Sequence, residues 1–151
     1  MDLMPFIFAV VIGLVGFVFM YLKNKQYDFY LAGPMRNIKN NNKKSFDDGS
    51  LALRNMGYTV WNPSEENDSK DTTFEEWMIK DLNQVINKCK RIALLPGWRD
   101  SIGANVEAMT ALVCNKDIYE LKYSKKNKIW KLNYIKNLNY CLPFNSTAKR
   151  L

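Results

Sequence analysis

Ser101 and Glu107 lie six residues apart in the stretch LPGWRDSIGANVEAM, where an apolar run ends and a helix is predicted to begin. A serine hydroxyl at a helix N-cap can accept a hydrogen bond from a backbone amide of the first turn. The other amides at that helix end attract anions. Gly103 and Ala104 precede Glu107 by one turn and leave its carboxylate uncrowded. The stretch is therefore either a capped helix and nothing more, or an anion site beside a carboxylate that contacts a ligand.

Asp81 is a second carboxylate, and the pattern places it one turn beyond Trp77 at the edge of a buried helix face. A carboxyl group at such an edge can have a raised pKa and donate a proton. The alternative is a solvated aspartate that pairs with Lys80 or Arg91. Glycosyl chemistry requires two carboxyl groups, since one attacks or stabilises the anomeric carbon and the other handles the proton of the leaving group.

The composition excludes several other kinds of catalysis. The chain contains no histidine, which excludes Ser-His-Asp catalysis, Cys-His catalysis and histidine-based metal sites. Its three cysteines are scattered and form no C-x-x-C pair, a pattern typical of free thiols in a reducing compartment. We therefore expect no metal and no cofactor, and chemistry that depends on carboxylates, hydroxyls, basic side chains and backbone dipoles.

Short apolar runs alternate with helical patterns between residues 27 and 121. The runs YDFYLA, YTVW, RIALL and DIYEL are typical of strands. Gly57 is expected to end the first helix, and Thr73 and Glu76 to form a capping box at the start of the second. The alternation predicts an α/β fold with a doubly wound parallel sheet. Ligands bind outside the carboxyl ends of such strands, so the loops AGPMRN, NPSEEND and PGWRDSIGA are expected to form the site.

Apolar side chains at helical spacing predict which helix faces point into the core. In the second helix the expected buried stripe consists of Phe74, Met78, Leu82 and Val85 or Ile86. In the third helix the core-facing residues are expected to be Val106, Met109 and Val113. Glu107 is then expected on a different face, next to the ligand.

Residues 4–22 form an apolar segment without a single charge. Nineteen residues at about 1.5 Å per residue nearly match a hydrocarbon core of about 30 Å, so an uncleaved transmembrane helix is predicted. Bulky residues end the run, which argues against a cleaved signal peptide. Lys23 and Lys25 follow the segment and no basic residue precedes it. The positive-inside rule then places the rest of the chain in the cytoplasm.

The basic charge of the protein is concentrated after Glu120, where seven lysines and one arginine occur without any acidic residue. Trp130 and Tyr134, and Leu132 and Ile135, recur at helical spacing. Three interpretations remain open for this tail: a helix on anionic lipid, a nucleic-acid patch, or a last helix that packs on the domain. The predicted organisation is an anchor and linker over 1–25, an α/β domain over 26–121, and a basic aromatic tail over 122–151.

Four motifs, YLAGPM, GYTVWNP, WMIKDL and LPGWRDSIGANVE, occur in this order between residues 27 and 120. Together they resemble the nucleoside 2-deoxyribosyltransferase-like superfamily, in particular a small branch often carried by phages or bacteria. The resemblance includes neither the apolar segment nor the basic tail. It implies a Rossmann-like fold and homo-oligomers in which a neighbouring chain completes each active site.

The resemblance also implies roles for individual residues. Glu107 matches the nucleophilic glutamate, Tyr30 the tyrosine that orients it, and Asp81 the acid that holds or protonates the base. Ser101 matches a phosphate-contacting serine of the nucleoside 5′-monophosphate N-glycosidases, where transferases acting on free nucleosides have an aspartate. Arg36 resembles an arginine near the nucleotide. Further candidate binding residues are Gly33, Gly103 and Trp98, of which Trp98 either stacks on a base or caps the core.

These observations predict a membrane-anchored, cytoplasmic N-glycosidase that cleaves the base from a nucleoside 5′-monophosphate through a glycosyl-glutamate intermediate. The first alternative is a nucleoside 2-deoxyribosyltransferase that exchanges bases. The second is a sensor that binds a nucleotide without cleaving it. The expected partners are a small-molecule nucleotide, the membrane and further copies of the chain, and nucleic acid is not expected.

Overall fold

A five-stranded sheet forms the centre of the protein. The computed structural model describes residues 11–14, 26–66 and 72–135. In chain order the strands and helices are β1 (Tyr27–Ala32), α1 (Lys43–Asn55), β2 (Val60–Trp61), α2 (Phe74–Asn87), β3 (Cys89–Leu94), α3 (Ile102–Val113), β4 (Asp117–Ser124) and β5 (Ile129–Tyr134). Short 3-10 turns occupy Lys39–Asn42, Pro63–Glu65 and Trp98–Asp100.

The strands are arranged in the order β2-β1-β3-β4-β5. The first four run parallel, and β5 runs antiparallel to β4. The expected mixed α/β fold with a mostly parallel sheet is thus confirmed. From β1 the chain moves outward to β2 and then crosses to β3 on the other side of β1, so the strand order reverses between β1 and β3. Such a reversal opens a crevice at the carboxyl ends of the two strands.

Helices cover both faces of the sheet. On one face, Phe46 and Leu53 of α1 pack with Phe29, Leu31 and Ala93. On the other face, α2 and α3 cover the strands through small or branched side chains: Val85, Ala104, Ala108 and Ala111 pack with Tyr30, Ile92 and Leu94. Because the central strands are buried on both faces, they are apolar without alternation.

Local capping signals in the sequence are confirmed. Gly57 has a φ of +90°, and its amide donates to the carbonyl of Arg54 while the amide of Tyr58 donates to that of Leu53. This pair of bonds is a Schellman motif, which ends α1. Thr73 and Glu76 form the predicted capping box at the start of α2.

The predicted core face of α3 is wrong. Val106 and Val113 are exposed, at 40% and 79% of their surface. The buried side of α3 instead consists of Ala104, Glu107, Ala108 and Ala111. Small side chains let α3 lie close to the sheet, and this close approach places the Glu107 carboxylate in the interior. On α2, likewise, Val85 is buried while Phe74 and Ile86 are exposed.

Two of the three interpretations of the basic tail require a helix, and residues 129–134 do not form one. Ile129–Tyr134 is a strand that pairs with Tyr119–Ser124 of β4. Trp130, Leu132 and Tyr134 alternate along the chain, so the same residues also fit the period of two that a strand requires. Pairing with β4 provides hydrogen-bond partners for the backbone N–H and C=O groups of residues 129–134, and the segment therefore forms a strand and not a helix.

The transmembrane helix predicted over residues 4–22 lies outside the described residues, apart from the helical residues 11–14. Among the parts of the chain that are described, no helix has the length and apolar character needed to cross a membrane.

Candidate functional site

A pocket of ≈ 250 Å³ lies at the carboxyl edge of the sheet, in the crevice where the strand order reverses. Its walls come from the loop after β1, the first two turns of α2 and the first two turns of α3. The lining residues are Gly33, Met35, Arg36, Asn41, Thr72, Phe74, Trp77, Met78, Asp81, Ser101, Gly103, Ala104 and Glu107. Six of the eight residues predicted from the sequence are in this set: Gly33, Arg36, Asp81, Ser101, Gly103 and Glu107.

Glu107 lines the pocket, and Tyr30 lies behind it in the interior. The Tyr30 hydroxyl donates a hydrogen bond of 2.8 Å to Oε1 of Glu107. Tyr30 lies on β1 and is completely buried, while Glu107 on α3 retains 6% of its exposure. The bond joins two residues that are 77 positions apart, and it fixes one carboxylate oxygen while the residue still lines the pocket.

The surroundings of Glu107 favour its protonated form. Burial raises the pKa of Glu107 well above its ordinary value of 4.5, and the nearby charge of Asp81 raises it further. The hydrogen bond from Tyr30 acts in the opposite direction but does not outweigh burial. The pKa of Tyr30 is likewise raised, first by burial and then by the charges of Glu107 and Asp81.

Asp81 is the second carboxyl group of the site, next to Glu107 and the Tyr30 hydroxyl. It projects from α2 into the pocket and interacts with the same Tyr30 hydroxyl that contacts Glu107. Of the two basic residues considered as its partners, Lys80 pairs with Glu66 at 2.9 Å, and Arg91 lies 4.0 Å from Asp117. The charge of Asp81 acts on Glu107, and carboxyl groups that interact in this way can share a proton. The pair can therefore accept a proton at one oxygen and release one at another.

Ser101 and Arg36 give the pocket a region suited to an anion. Ser101 is the N-cap of α3, as predicted, and its hydroxyl oxygen accepts from the amide of Ala104 at 3.3 Å. The guanidinium of Arg36 stacks on the ring of Phe74, with the Cζ atom 4.2 Å from the ring centroid. Stacking on an aromatic ring restricts an otherwise mobile arginine and leaves its N–H groups free for a ligand.

Gly33 and Gly103 allow close approaches around the pocket. A Cβ atom on Gly33 would lie 2.9 Å from the Cβ of Leu95, so only glycine lets the loop after β1 pass the end of β3. A Cβ on Gly103 would meet the Sδ of Met78 at 3.7 Å, which is ordinary contact. Gly33 is therefore needed for packing. Gly103 lines the pocket without a side chain that would occupy part of its volume.

Trp98 is not brought to the pocket. Its ring retains 2% exposure, and its Nε1 donates to Oε1 of Glu120 at 3.1 Å. Arg99 stacks on the outer side of the ring and also bonds Glu120, at 2.6 Å. This position matches the second interpretation of Trp98, in which it caps the core below the turn that leads into α3.

Sequence reasoning missed several pocket residues. Phe74 and Met78 were assigned to the core stripe of α2, yet both line the pocket. Asn41 lines it from a run in which Asn40, Asn41 and Asn42 all have positive φ. A run of consecutive asparagines is a usable signal, because asparagine tolerates this left-handed conformation better than most residues. Within the described ranges, no cluster of three or more Cys, Asp or Glu side chains is placed to hold a metal ion.

Glu107 and Glu120 should respond to pH in opposite ways. The pKa of Glu107 is raised, so its contribution to stability is largest below 4.5 and is lost as pH rises toward the folded-state pKa. The pKa of Glu120 is lowered: burial raises it, but the donors Lys122, Trp98 and Arg99 together outweigh burial. Its contribution is present above 4.5 and is lost as pH falls through the folded-state pKa.

We therefore predict that Glu107→Gln increases the free energy of unfolding at pH 8 by about 1 kcal/mol or more, and that the gain disappears near pH 4. The matched variant Glu120→Gln should lose about 1–2 kcal/mol at pH 8, and this loss should shrink in acid. Urea denaturation of the three proteins from pH 4 to pH 8 measures both trends. A Glu107→Gln variant that is less stable than wild type at pH 8 would contradict the assignment of a costly buried acid.

Comparison with known proteins identifies the family that this architecture belongs to. No curated protein matches the chain. A family model described as a domain of unknown function (DUF4406) matches residues 27–120, which span β1 to the middle of β4 and contain all the pocket residues. The chain therefore belongs to the DUF4406 family.

Proposed function

We propose that the protein is an N-glycosidase that cleaves the base from a nucleoside 5′-monophosphate. The observation that supports this most directly is the buried Tyr30–Glu107 hydrogen bond next to Asp81. It provides an oriented carboxylate and a second acid in one pocket. The proposal includes a doubly wound, Rossmann-like frame, in which a ligand at the strand reversal is expected.

In the first step of the proposed reaction, an oxygen of Glu107 attacks the anomeric carbon of the sugar. The bond from this carbon to the base nitrogen breaks, and its electron pair stays on the base. Asp81 gives its proton to the departing base. A glycosyl ester on Glu107 results, as in retaining glycosidases.

In the second step, water attacks the same carbon and Glu107 leaves as a carboxylate. The proton of the water passes to Asp81, which returns the pair to its starting state. The reaction requires that Asp81 and Glu107 together carry one proton. This proton must be on Asp81 when Glu107 attacks. Burial raises the pKa of Glu107 and so favours a proton on the pair, and the Tyr30 hydroxyl stabilises the Glu107 carboxylate after the proton has moved.

The phosphate of the substrate is proposed to lie at Ser101 and Arg36. A capped helix end with free amides attracts an anion, and an arginine adds a bidentate hydrogen-bonding group. Trp77 and Met78 line the same pocket and offer apolar surface to the base. The volume of ≈ 250 Å³ is small, so the ligand is expected to fill it.

Two alternatives share this pocket. A base-exchanging transferase would use the same glycosyl-Glu107 ester with a second base in place of water. A sensor would hold the nucleotide without reaction. The raised pKa of Glu107 is compatible with the sensor, because a protonated glutamate does not repel an anionic ligand.

Loss of Glu107 should abolish base release. Glu107→Ala and Glu107→Gln remove the nucleophile, so turnover should fall by at least about 10³-fold while nucleotide binding changes little. Tyr30→Phe keeps the ring and loses only the hydroxyl, and a smaller loss of turnover is expected. Base release by the whole chain is measured with a panel of nucleotides, and equal rates in wild type and Glu107→Gln would exclude Glu107 from the mechanism. If wild type binds nucleotides without releasing base, the sensor takes the place of the glycosidase.

The phosphate separates the glycosidase from the transferase. Hydrogen bonds to charged groups contribute roughly 1.5–3 kcal/mol each, so a neutral nucleoside should react at least about 10-fold less efficiently than its 5′-monophosphate. Ser101→Asp places a negative charge at the phosphate position and should suppress reaction of the monophosphate selectively. The measurement is kcat/KM for one nucleoside and its monophosphate in both proteins. A wild type that prefers the nucleoside would favour the transferase.

The proposed location is a membrane, with the α/β domain on its cytoplasmic side. This follows from the uncharged segment 4–22 and the lysines that come after it. Cys114 is exposed, so a thiol reagent that does not cross membranes should label it only after cells are permeabilised. An Asp2→Cys variant is the control, because that residue should be labelled from outside. Labelling of Cys114 in intact cells would show that the orientation is wrong.

A homo-oligomer is also proposed, and exposed apolar residues on α2 and α3 support it. Ile102, Val106 and Val113 form one stripe on α3, and Ile79 of α2 is 71% exposed. Apolar stripes of this kind usually pack against another protein. Ile102→Glu with Val106→Glu should convert the oligomer to monomers in light scattering, whereas Leu51→Glu on the opposite face of the sheet should not. A monomeric wild type would remove this proposal.

A further inference from the structure

The hairpin of β4 and β5 extends beyond the parallel sheet. Pairing between β3 and β4 ends at Leu94 and Glu120. Beyond that level, residues 121–124 pair only with residues 129–132. We call residues 121–132 the ribbon. It projects from the carboxyl edge of the sheet, at the end opposite to Tyr27, where β1 begins.

Like charges are concentrated on the ribbon. Lys122 lies directly opposite Lys131, and such cross-strand pairs are destabilising. Lys125, Lys126 and Lys128 are all exposed in the connecting turn. Glu120 neutralises Lys122 at 2.6 Å, but the sequence contains no acidic residue after it. The ribbon itself thus contains five lysines and no acidic residue, a charge that a polyanion would neutralise.

An aromatic shelf lies on the side of the ribbon that faces α1. Tyr123 and Trp130 are cross-strand partners whose ring centroids are 5.3 Å apart. With Asp48, Leu51, Ala52 and Asn55 of α1 they line a groove of ≈ 410 Å³, and the Asp48 carboxylate is paired with Lys44 at 2.6 Å. Tyr123 and Leu51 keep 45% and 58% of their exposure. Rings held in this way offer a stacking surface for planar groups such as nucleobases.

We propose that the ribbon binds single-stranded nucleic acid, with phosphates at its lysines and bases stacked at Tyr123 and Trp130. Lysines combined with exposed aromatic rings are the usual means of binding such strands without sequence preference. Nucleic acid was not expected from the sequence, but the amphipathic helix that the lipid interpretation requires is not formed by residues 129–134, which are a strand. This surface is separate from the pocket and does not depend on the proposed glycosidase.

The test measures binding of a fluorescent 12-nucleotide strand, an arbitrary length of roughly one site, to the whole chain in neutral detergent at several salt concentrations. Wild type should bind, and log K should fall with log salt. Replacing Lys125, Lys126 and Lys128 by serine should weaken binding at least about 10-fold at low salt and reduce the slope by about 2, since each phosphate contact on a single strand contributes about 0.7. The control replaces Lys39, Lys80 and Lys90 by serine, removes the same charge, and should keep the wild-type slope.

Tyr123→Leu should weaken binding about 5-fold or more with an unchanged slope, because it removes stacking and no charge. Thermal melting of each variant checks that the fold is retained. Three results would overturn the proposal: no binding by wild type at low salt, equal losses in the two triple variants, or retention on phosphatidylserine bilayers over phosphatidylcholine bilayers that depends on the turn lysines without any binding of the strand.

Discussion

The hydrogen bond from Tyr30 to Glu107 is the interaction around which the site is organised. It joins strand β1 to helix α3 in the interior, and so it holds the Glu107 carboxylate at the wall of the pocket. A buried carboxyl group lowers stability when it ionises, which the rise in the pKa of Glu107 expresses. The neighbouring buried positions of α3 are alanines, which pack against the sheet without any such cost. The buried glutamate is thus not needed for the packing of this helix. The group is therefore best explained by function.

Other features of the fold keep this group in place. The buried face of α3 consists of alanines on either side of Glu107, which lets the helix lie close to the sheet. Gly33 allows the loop after β1 to pass Leu95 and reach the pocket. Below the turn into α3, Glu120 accepts from Trp98 and pairs with Arg99. This second buried carboxylate is held ionised by its donors, so the two glutamates have opposite electrostatic roles.

Local signals predicted much of the structure from the sequence. The Ser101 cap and the Thr73–Glu76 capping box depend on residues three positions apart, so the sequence contains them completely. Glu107, Asp81 and Ser101 could be placed in one pocket because parallel strands direct their following loops to one edge. The partner of Trp98 could not be predicted, since Glu120 comes from another strand. The strand at Ile129–Tyr134 was missed because its residues fit two periodicities, and only pairing with β4 distinguishes them.

The central claim is that Glu107 forms a covalent bond to a sugar. A 2′-fluoro arabinonucleoside 5′-monophosphate slows both steps, and it should slow hydrolysis of the ester more than its formation. After incubation with the whole chain, digestion and mass spectrometry should find the fluorinated sugar phosphate attached to the peptide that contains Glu107, and not in Glu107→Gln. Base release without any adduct, or an adduct on another residue, would contradict the account.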